Sequence, residues 1–365
     1  MIYQDTQYSN NFCTEITERC LQNIATNTSF NLVAMPGVGV TFFMRHLAGK
    51  SRDRFVFINS YEMHDFTRQE FFQQLARKLD VVDPNPDVAT IAGALKDVVS
   101  SGQKIVLVLN RFDRLGSLVD QTMFDNFRYL RDVDRSKIVI IFMSARPLVE
   151  ELDAGTKDVL GLVMATTYFP LYSSAELQEI NSGTGNALLE AKALELAAGH
   201  HTLAQILHRC QNLDNALSDP MVELVVRDIF LSLDANRRRI LELVATKSAP
   251  VDDPLLIHAG YVVQEEESRV FTPLLHEFIQ RQNTQHLPVK EQRLFNLLKR
   301  HAGQLVTKAD IFDAVWLEDD GIASEWSLNA LVYRLRRHAG FDDQRYTIES
   351  VKKRGYILHD HTKNI

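Results

Sequence analysis

Residues 30–34, 55–59, 105–109 and 138–142 form four nearly continuous apolar runs, rich in Val, Ile, Leu and Phe. A strand with one wet face alternates apolar and polar side chains. An unbroken apolar run needs cover on both faces, as in a parallel sheet sandwiched by helices. A fifth run, 162–169, is β-rich but more mixed. Between the runs, stretches such as 67–79 and 88–99 place apolar residues three and four apart, the spacing of a helix with one buried face. Strand and helix alternating in this way predict an α/β doubly wound layer with right-handed crossovers.

The first run leads into Ala34-Met-Pro-Gly-Val-Gly-Val-Thr and then a helical pattern. Strand, glycine-rich turn and helix in that order bring backbone N–H groups to a helix N-terminus, where they can hold a phosphate. The stretch resembles the P-loop of the AAA+ and STAND ATPases, including their origin-recognition-like branch, whose full motif is G-x-x-x-x-G-K-[ST]. Gly37, Gly39 and Thr41 match it, whereas Ala34 replaces the first glycine and Val40 the lysine. The lysine's point charge on the β- and γ-phosphates is therefore absent.

The third run continues as Asn110-Arg-Phe-Asp-Arg-Leu, similar to the family's second motif of four apolar residues, Asp-Glu and then Phe-Asp-Arg-Leu. Asn110 stands for the magnesium-organising aspartate and Arg111 for the water-activating glutamate. A neutral amide and a cation cannot act as metal-ligand carboxylate and general base. Asp113 is expected in surface pairing or capping. Ser144 resembles the polar sensor position and joins Gly37, Gly39 and Thr41 as a degenerate nucleotide-binding set. Gly199-His200-His201 falls where the lid carries Gly-x-Pro, without the proline; its histidines are expected on a loop, solvated or touching a phosphate. These departures imply a pseudo-ATPase, not an enzyme, with no catalytic residue. The expected cofactor is none, or ATP or ADP held without hydrolysis.

Residues 173–230 read as a helical lid. From Leu233 onward, a helix with Arg237, Arg238 and Arg239, a short helix over 254–259 and a hairpin turning at 265–268 resemble the small winged helix that follows such lids. Glu265, Glu266 and Glu267 in its turn would repel a phosphate backbone, so a packing or interaction domain is expected. The arginine run reads as a solvated helix face.

After Leu287 the apolar spacing gives a helix ended by Gly303, a helix capped by Thr307 with Asp310 three residues on, a third helix over 324–339, and two strands around Lys352-Lys353-Arg354. This stretch resembles the winged-helix effector domain of the OmpR/PhoB response regulators. The matching pieces are Leu287 with Glu291, Gly303 with Val306, Ala314-Val-Trp, Arg334-Leu-Arg-Arg and Val351 with Gly355-Tyr356. On the third helix Leu328, Leu331, Val332 and Leu335 form the holding stripe. Ser327, Asn329, Tyr333, Arg334 and Arg337 lie on other faces and are expected in the major groove, with Asn329 reading adenine and Arg334 or Arg337 guanine or phosphate. Arg336 is expected on phosphate and Lys352, Lys353 and Arg354 on backbone or minor groove. Trp316, Gly355 and Tyr356 are assigned to the core and the hairpin turn.

Net charge of −7 argues against a DNA binder until it is divided. From residue 287 to the end there are 13 Lys and Arg against 11 Asp and Glu, while the rest holds 27 against 36. Local field, not total charge, selects partners. No apolar run approaches the roughly 18–20 residues of a membrane span. The N-terminus carries neither basic patch nor apolar core, and Cys13, Cys20 and Cys210 lack metal-ligand spacing, so a cytoplasmic protein with inert thiols and no metal is expected.

The expected architecture is an α/β P-loop parallel sheet with helical lid, followed by two winged-helix (α+β) domains, with boundaries at 1–172, 173–230, 231–284 and 285–365. The expected function is sequence-specific transcriptional regulation on double-stranded DNA. The ATPase-like body is expected to serve as sensor, scaffold or assembly module, through a protein partner or self-association. The alternative is a nucleotide-dependent ATPase switch or replication-initiator-like protein.

Overall fold

The four apolar runs become strands of one sheet. The computed structural model describes residues 9, 11–65, 67–151, 161–163, 165–183, 189–210, 212–247, 250–285, 289–316, 324–336, 346–352 and 354–360. The chain divides into one compact unit of residues 1–234 with 252–261 and a second of 235–251 with 262–365.

In the first unit α1 (Thr14–Ala25) precedes β1 (Phe30–Val33), followed by α2 (Val40–Lys50), β2 (Arg54–Asn59), α3 (Arg68–Lys78), α4 (Val88–Ser100) and β3 (Ile105–Asn110). Then come α5 (Gln121–Arg131), β4 (Ile138–Ser144), α6 (Leu148–Glu151) and β5 (Ala165–Tyr168). All strand pairs are parallel, in the order β2-β3-β4-β1-β5. Polar caps start the helices: Thr67, Asp87 and Asp120 accept the N–H of Glu70, Thr90 and Met123. Every residue of β1 and β4 is buried, as their composition predicts.

This order places β1 between β4 and β5, so the turn leaving β1 opens beside the end of β4, with Val33 paired to Ser144. Clefts of this kind, beyond the carboxyl ends of parallel strands, are where such sheets bind ligands. Beneath the third strand, Phe112 packs against Phe142, Phe127 and Phe124 with ring centroids 5.0, 5.6 and 6.0 Å away. Phe112 and Leu115 are both core residues. The Phe-Asp-Arg-Leu motif therefore persists for packing, independently of the two positions before it.

The chain continues through α7 (Ser174–Gly183), α8 (Ala191–Ala197), α9 (His201–Leu207) and α10 (Pro220–Leu231), all helical as read. Next, α11 (Ala235–Lys247) belongs to the second unit, and the chain returns to the first for α12 (Pro254–His258). Cys13 and Cys20 are buried free thiols; burial raises both, Cys20 to about 12, which leaves them unreactive.

The second unit packs α11 against the hairpin β6 (Val262–Gln264) and β7 (Ser268–Val270) and against α13 (Pro273–Gln285). Arg237, read as solvated, is buried, while Arg239 is exposed. Then follow α14 (Val289–Arg300), β8 (Leu305–Thr307), α15 (Lys308–Val315), α16 (Glu325–Arg336), β9 (Tyr346–Val351) and β10 (Gly355–Asp360). The strands form an antiparallel sheet in the order β8-β10-β9. Strand β8 has no signature in the sequence: three residues that end on a helix cap are too few to show alternation, and only β10, some 50 positions later, gives them a partner. Thr307 ends β8 and caps α15, in a capping box with Asp310. Among the described residues no helix is long and apolar enough to cross a membrane.

Candidate nucleic-acid interface and glycine-rich loop

Helix α16 is held by Leu328, Leu331, Val332 and Leu335, all buried with Leu294, Ile311 and Leu358 in one core. The stripe predicted from spacing is the packed face, and the opposite side carries exposed residues. Asn329 and Tyr333, four apart on that side, are exposed. Lys352 and Arg354 are exposed in the β9–β10 turn. Arg337 and Lys353 lie outside the described residues.

Several of the predicted contacts are also engaged within the domain. The Ser327 hydroxyl donates to Ser324 O at 2.8 Å and accepts the Ser324 N–H at 3.0 Å, inside the first turn. Arg334 Nε donates to Glu291 Oε1 at 2.6 Å, and Glu291 is only 2% exposed. Arg336 Nη2 donates to Ile348 O at 2.6 Å and Ser350 Oγ at 2.9 Å, joining α16 to β9. Tyr356, buried in the core, donates its hydroxyl to Asn329 Oδ1 at 2.8 Å.

In the first unit the turn after β1 keeps the backbone its glycines imply. Gly37 and Gly39 have φ of 76° and 101°, and Gly39 precedes α2 as its N-cap. The carbonyls of the turn are taken by the lid. His200 Nε2 donates to Pro36 O at 2.8 Å, Thr202 donates from Oγ1 at 2.8 Å and from N at 3.1 Å to Gly37 O, and Tyr172 Oη donates to Gly39 O at 2.9 Å. A Cβ on Gly39 would sit 2.8 Å from His201 Cβ, so this close approach also requires glycine. Among the described residues no acceptor meets the N–H groups of Gly37, Gly39, Val40 and Thr41. The turn thus keeps a nest of unpaired donors on one side and a sealed carbonyl face on the other.

His200 and His201, read as loop residues in solvent, are buried. His200 Nδ1 accepts the Leu203 N–H at 3.2 Å, so both its nitrogens are used and the ring caps α9. His201 lies against Phe42 with centroids 4.6 Å apart, and its Nε2 has no hydrogen-bond partner among the described residues. Burial lowers both to about 4, so each is neutral. Local sequence could not show this, because the loop they pack on lies about 160 residues away.

The unfolded chain protonates these rings as pH falls through 6.5, whereas the folded unit holds them neutral down to about 4. Each histidine therefore withdraws stability across that window, on the order of 3 kcal/mol at its lower end. The melting temperature is expected to drop more steeply between pH 7.5 and 5 in the parent protein than in His201→Phe; equal slopes would refute the assignment.

Ser144, the expected sensor, is 3% exposed. Its hydroxyl donates to Arg146 O at 2.6 Å and accepts Asn31 Nδ2 at 2.8 Å. Asn110 Nδ2 contacts Asn59 Oδ1 at 3.3 Å, and Arg111 pairs with Asp113 at 3.4 Å. Arg111 adopts a left-handed φ of 53°, with its carbonyl accepting the Ser60 hydroxyl at 3.1 Å. Where the resemblance would place metal and water chemistry, the chain holds two amides and an internally neutralised cation.

Residues 282–358 match the family described as transcriptional regulatory protein, C terminal. The Walker-type ATPase PABY2304 of Pyrococcus abyssi aligns with 77% of this chain and 100% of its own, at 15% identity and a TM-score of 0.50. The Aeropyrum pernix ORC1 protein in complex with DNA aligns at 12% identity over 97% of this chain and 90% of its own, with a TM-score of 0.40. Cdc6p from Pyrobaculum aerophilum aligns at 16% identity over 99% and 93%, with a TM-score of 0.38. No curated protein matches the sequence. Residues 282–358 are thus a winged-helix DNA-binding domain of the OmpR/PhoB-type transcriptional regulators, in a chain whose preceding body has the fold of a P-loop ATPase.

Proposed function

We propose that the protein is a sequence-specific transcriptional regulator whose ATPase-like body does not hydrolyse nucleotide and serves as sensor, scaffold or assembly module. The observation that carries this reading is α16, held by one buried stripe, with Asn329 and Tyr333 exposed on the other side and Lys352 and Arg354 exposed on the adjoining turn. In this reading α16 enters the major groove while the turn meets the phosphate backbone. The proposed division of labour follows segments 1–172, 173–230, 231–284 and 285–365, with the last alone reading DNA. Titration of the intact chain on random duplex pools at two salt concentrations is the test. Selective enrichment supports the reading, and Lys352→Ala and Arg354→Ala should each lower the salt slope by about 1 without changing the selected sequence. Enrichment of no sequence would sink it.

For the body, lost turnover rests on Val40, Asn110 and Arg111 together with the committed Ser144 hydroxyl. Magnesium-dependent ATP hydrolysis is expected at background, and Val40→Lys alone should not raise it, because no carboxylate follows at 110–111. Hydrolysis that Thr41→Ala abolishes would favour the ATPase-switch alternative. The four unpaired N–H groups of the turn favour a second reading, in which ATP or ADP is retained without turnover. ADP raising the melting temperature would support it.

A further inference from the structure

Tyr356 is 4% exposed and sits at the second position of β10, where Tyr356 pairs with Ser350 on one side and Val306 on the other. Its ring needs no function to explain its burial, but its hydroxyl is a different matter. A buried phenol requires a hydrogen-bond partner, and this one takes Oδ1 of Asn329, a residue on the exposed side of α16, at 2.8 Å. A free asparagine offers a donor and an acceptor side by side, the pattern that grips adenine through N7 and N6. Here the acceptor oxygen is held inward by the phenol, which leaves the amide's pair of N–H donors as the group offered to a base.

We propose that Tyr356 is a specificity-determining residue that acts through Asn329: it holds Oδ1 inward, so Asn329 offers the base its amide N–H donors and the base opposite must present acceptors in the major groove. Guanine, with N7 and O6, and thymine, with O4, meet that demand. Adenine loses the second bond of its bidentate contact, and cytosine, which presents a donor, is refused. The proposal rests on α16 as the base-reading helix and replaces the adenine expectation for Asn329.

The test is selection from random duplexes with the intact chain and three variants. Asn329→Ala identifies the base pair that Asn329 reads, as the one position whose preference disappears. The parent protein should enrich guanine or thymine there. Tyr356→Phe keeps the ring and removes only the hydroxyl, freeing Oδ1; preference at that position should move toward adenine by roughly tenfold, with other positions unchanged. A purely structural hydroxyl would instead weaken binding to all sequences alike. Asn329→Asp retains an acceptor for the phenol but presents no donor, and should shift the position toward cytosine, an outcome independent of how Tyr356→Phe folds. Adenine selected by the parent at the Asn329 position, or an unchanged preference in Tyr356→Phe, overturns the proposal while leaving the DNA-binding reading intact. Enrichment of no sequence by the parent overturns both.

Discussion

Gly355→Ala is expected to unfold the winged-helix domain that ends the chain. Gly355 pairs with Val351 of β9 on one side and Thr307 of β8 on the other. A Cβ built on it would overlap Val306 O and lie 2.9 Å from both Thr307 Cα and Val306 C. All three are backbone atoms of a paired strand, so no rotamer change can make room. The two strands must separate instead, which breaks the pairs Thr307–Gly355, Val306–Tyr356 and Leu305–Ile357 and uncovers Val306 and Tyr356 in the core. Overpacking against rigid backbone costs about 3 kcal/mol or more, a large fraction of what holds a small domain together. Thermal unfolding followed by tryptophan fluorescence, together with DNA titration, reads the result; both tryptophans, Trp316 and Trp326, lie in this domain. A variant melting within about 1 kcal/mol of the parent would show that β8 can yield.

Arg334→Met is expected to destabilise the same domain by about 2–3 kcal/mol, whatever Arg334 does on DNA. Glu291 lies on α14 with its side chain 3% exposed, and Arg334 Nε is 2.6 Å from it. Removing the cation leaves a buried carboxylate without its counter-charge, the costly half of any buried ion pair. The loss stays at the lower end because the arginine side chain is 57% exposed and water already reaches it. Replacing both partners, Glu291→Leu with Arg334→Met, should recover most of the stability, since no charge is then stranded. The pair of variants also separates two roles. If the double variant folds and binds DNA like the parent, Arg334 serves only to bind α16 to α14; if it folds and does not bind, Arg334 also contacts DNA. A stable single variant would dismiss the ion pair as a structural element.

Much of the architecture is legible locally because it is decided locally. Residues 105–109 and 138–142 have no polar alternation, so they can only be strands covered on both faces, and they are β3 and β4. Gly37 and Gly39 announce positive φ, and both have it. Gly303 has the positive φ of 79° expected of it, although it lies three residues beyond α14 and its N–H meets Leu358 O of β10, and Thr307 caps α15 as the spacing predicts. The stripe at 328, 331, 332 and 335 follows from helical geometry alone. Side chains whose role depends on a distant partner carried no such signal. His200 and His201 look like polar residues on a loop until the lid is laid against the turn after β1. Ser144 looks like a free hydroxyl until Asn31, buried 113 residues earlier, and Arg146 engage it. Arg334 and Arg336 have the composition of DNA contacts, yet both are tied to carboxylate or carbonyl groups of their own domain.

The sequence by itself therefore determined the element types, the parallel sheet, the glycine turn and the covered face of α16, since periodicity and backbone preference act over a few residues. Tertiary structure alone decided which polar atoms are still available to a ligand. A hydrogen-bonding group is available only if no neighbour has taken it, and several of the neighbours here lie far off in sequence, 27 positions for Asn329 and Tyr356 and 165 for Gly37 and Thr202. The orientation of the Asn329 amide is fixed by a phenol 27 positions further along the chain, which holds Oδ1 inward.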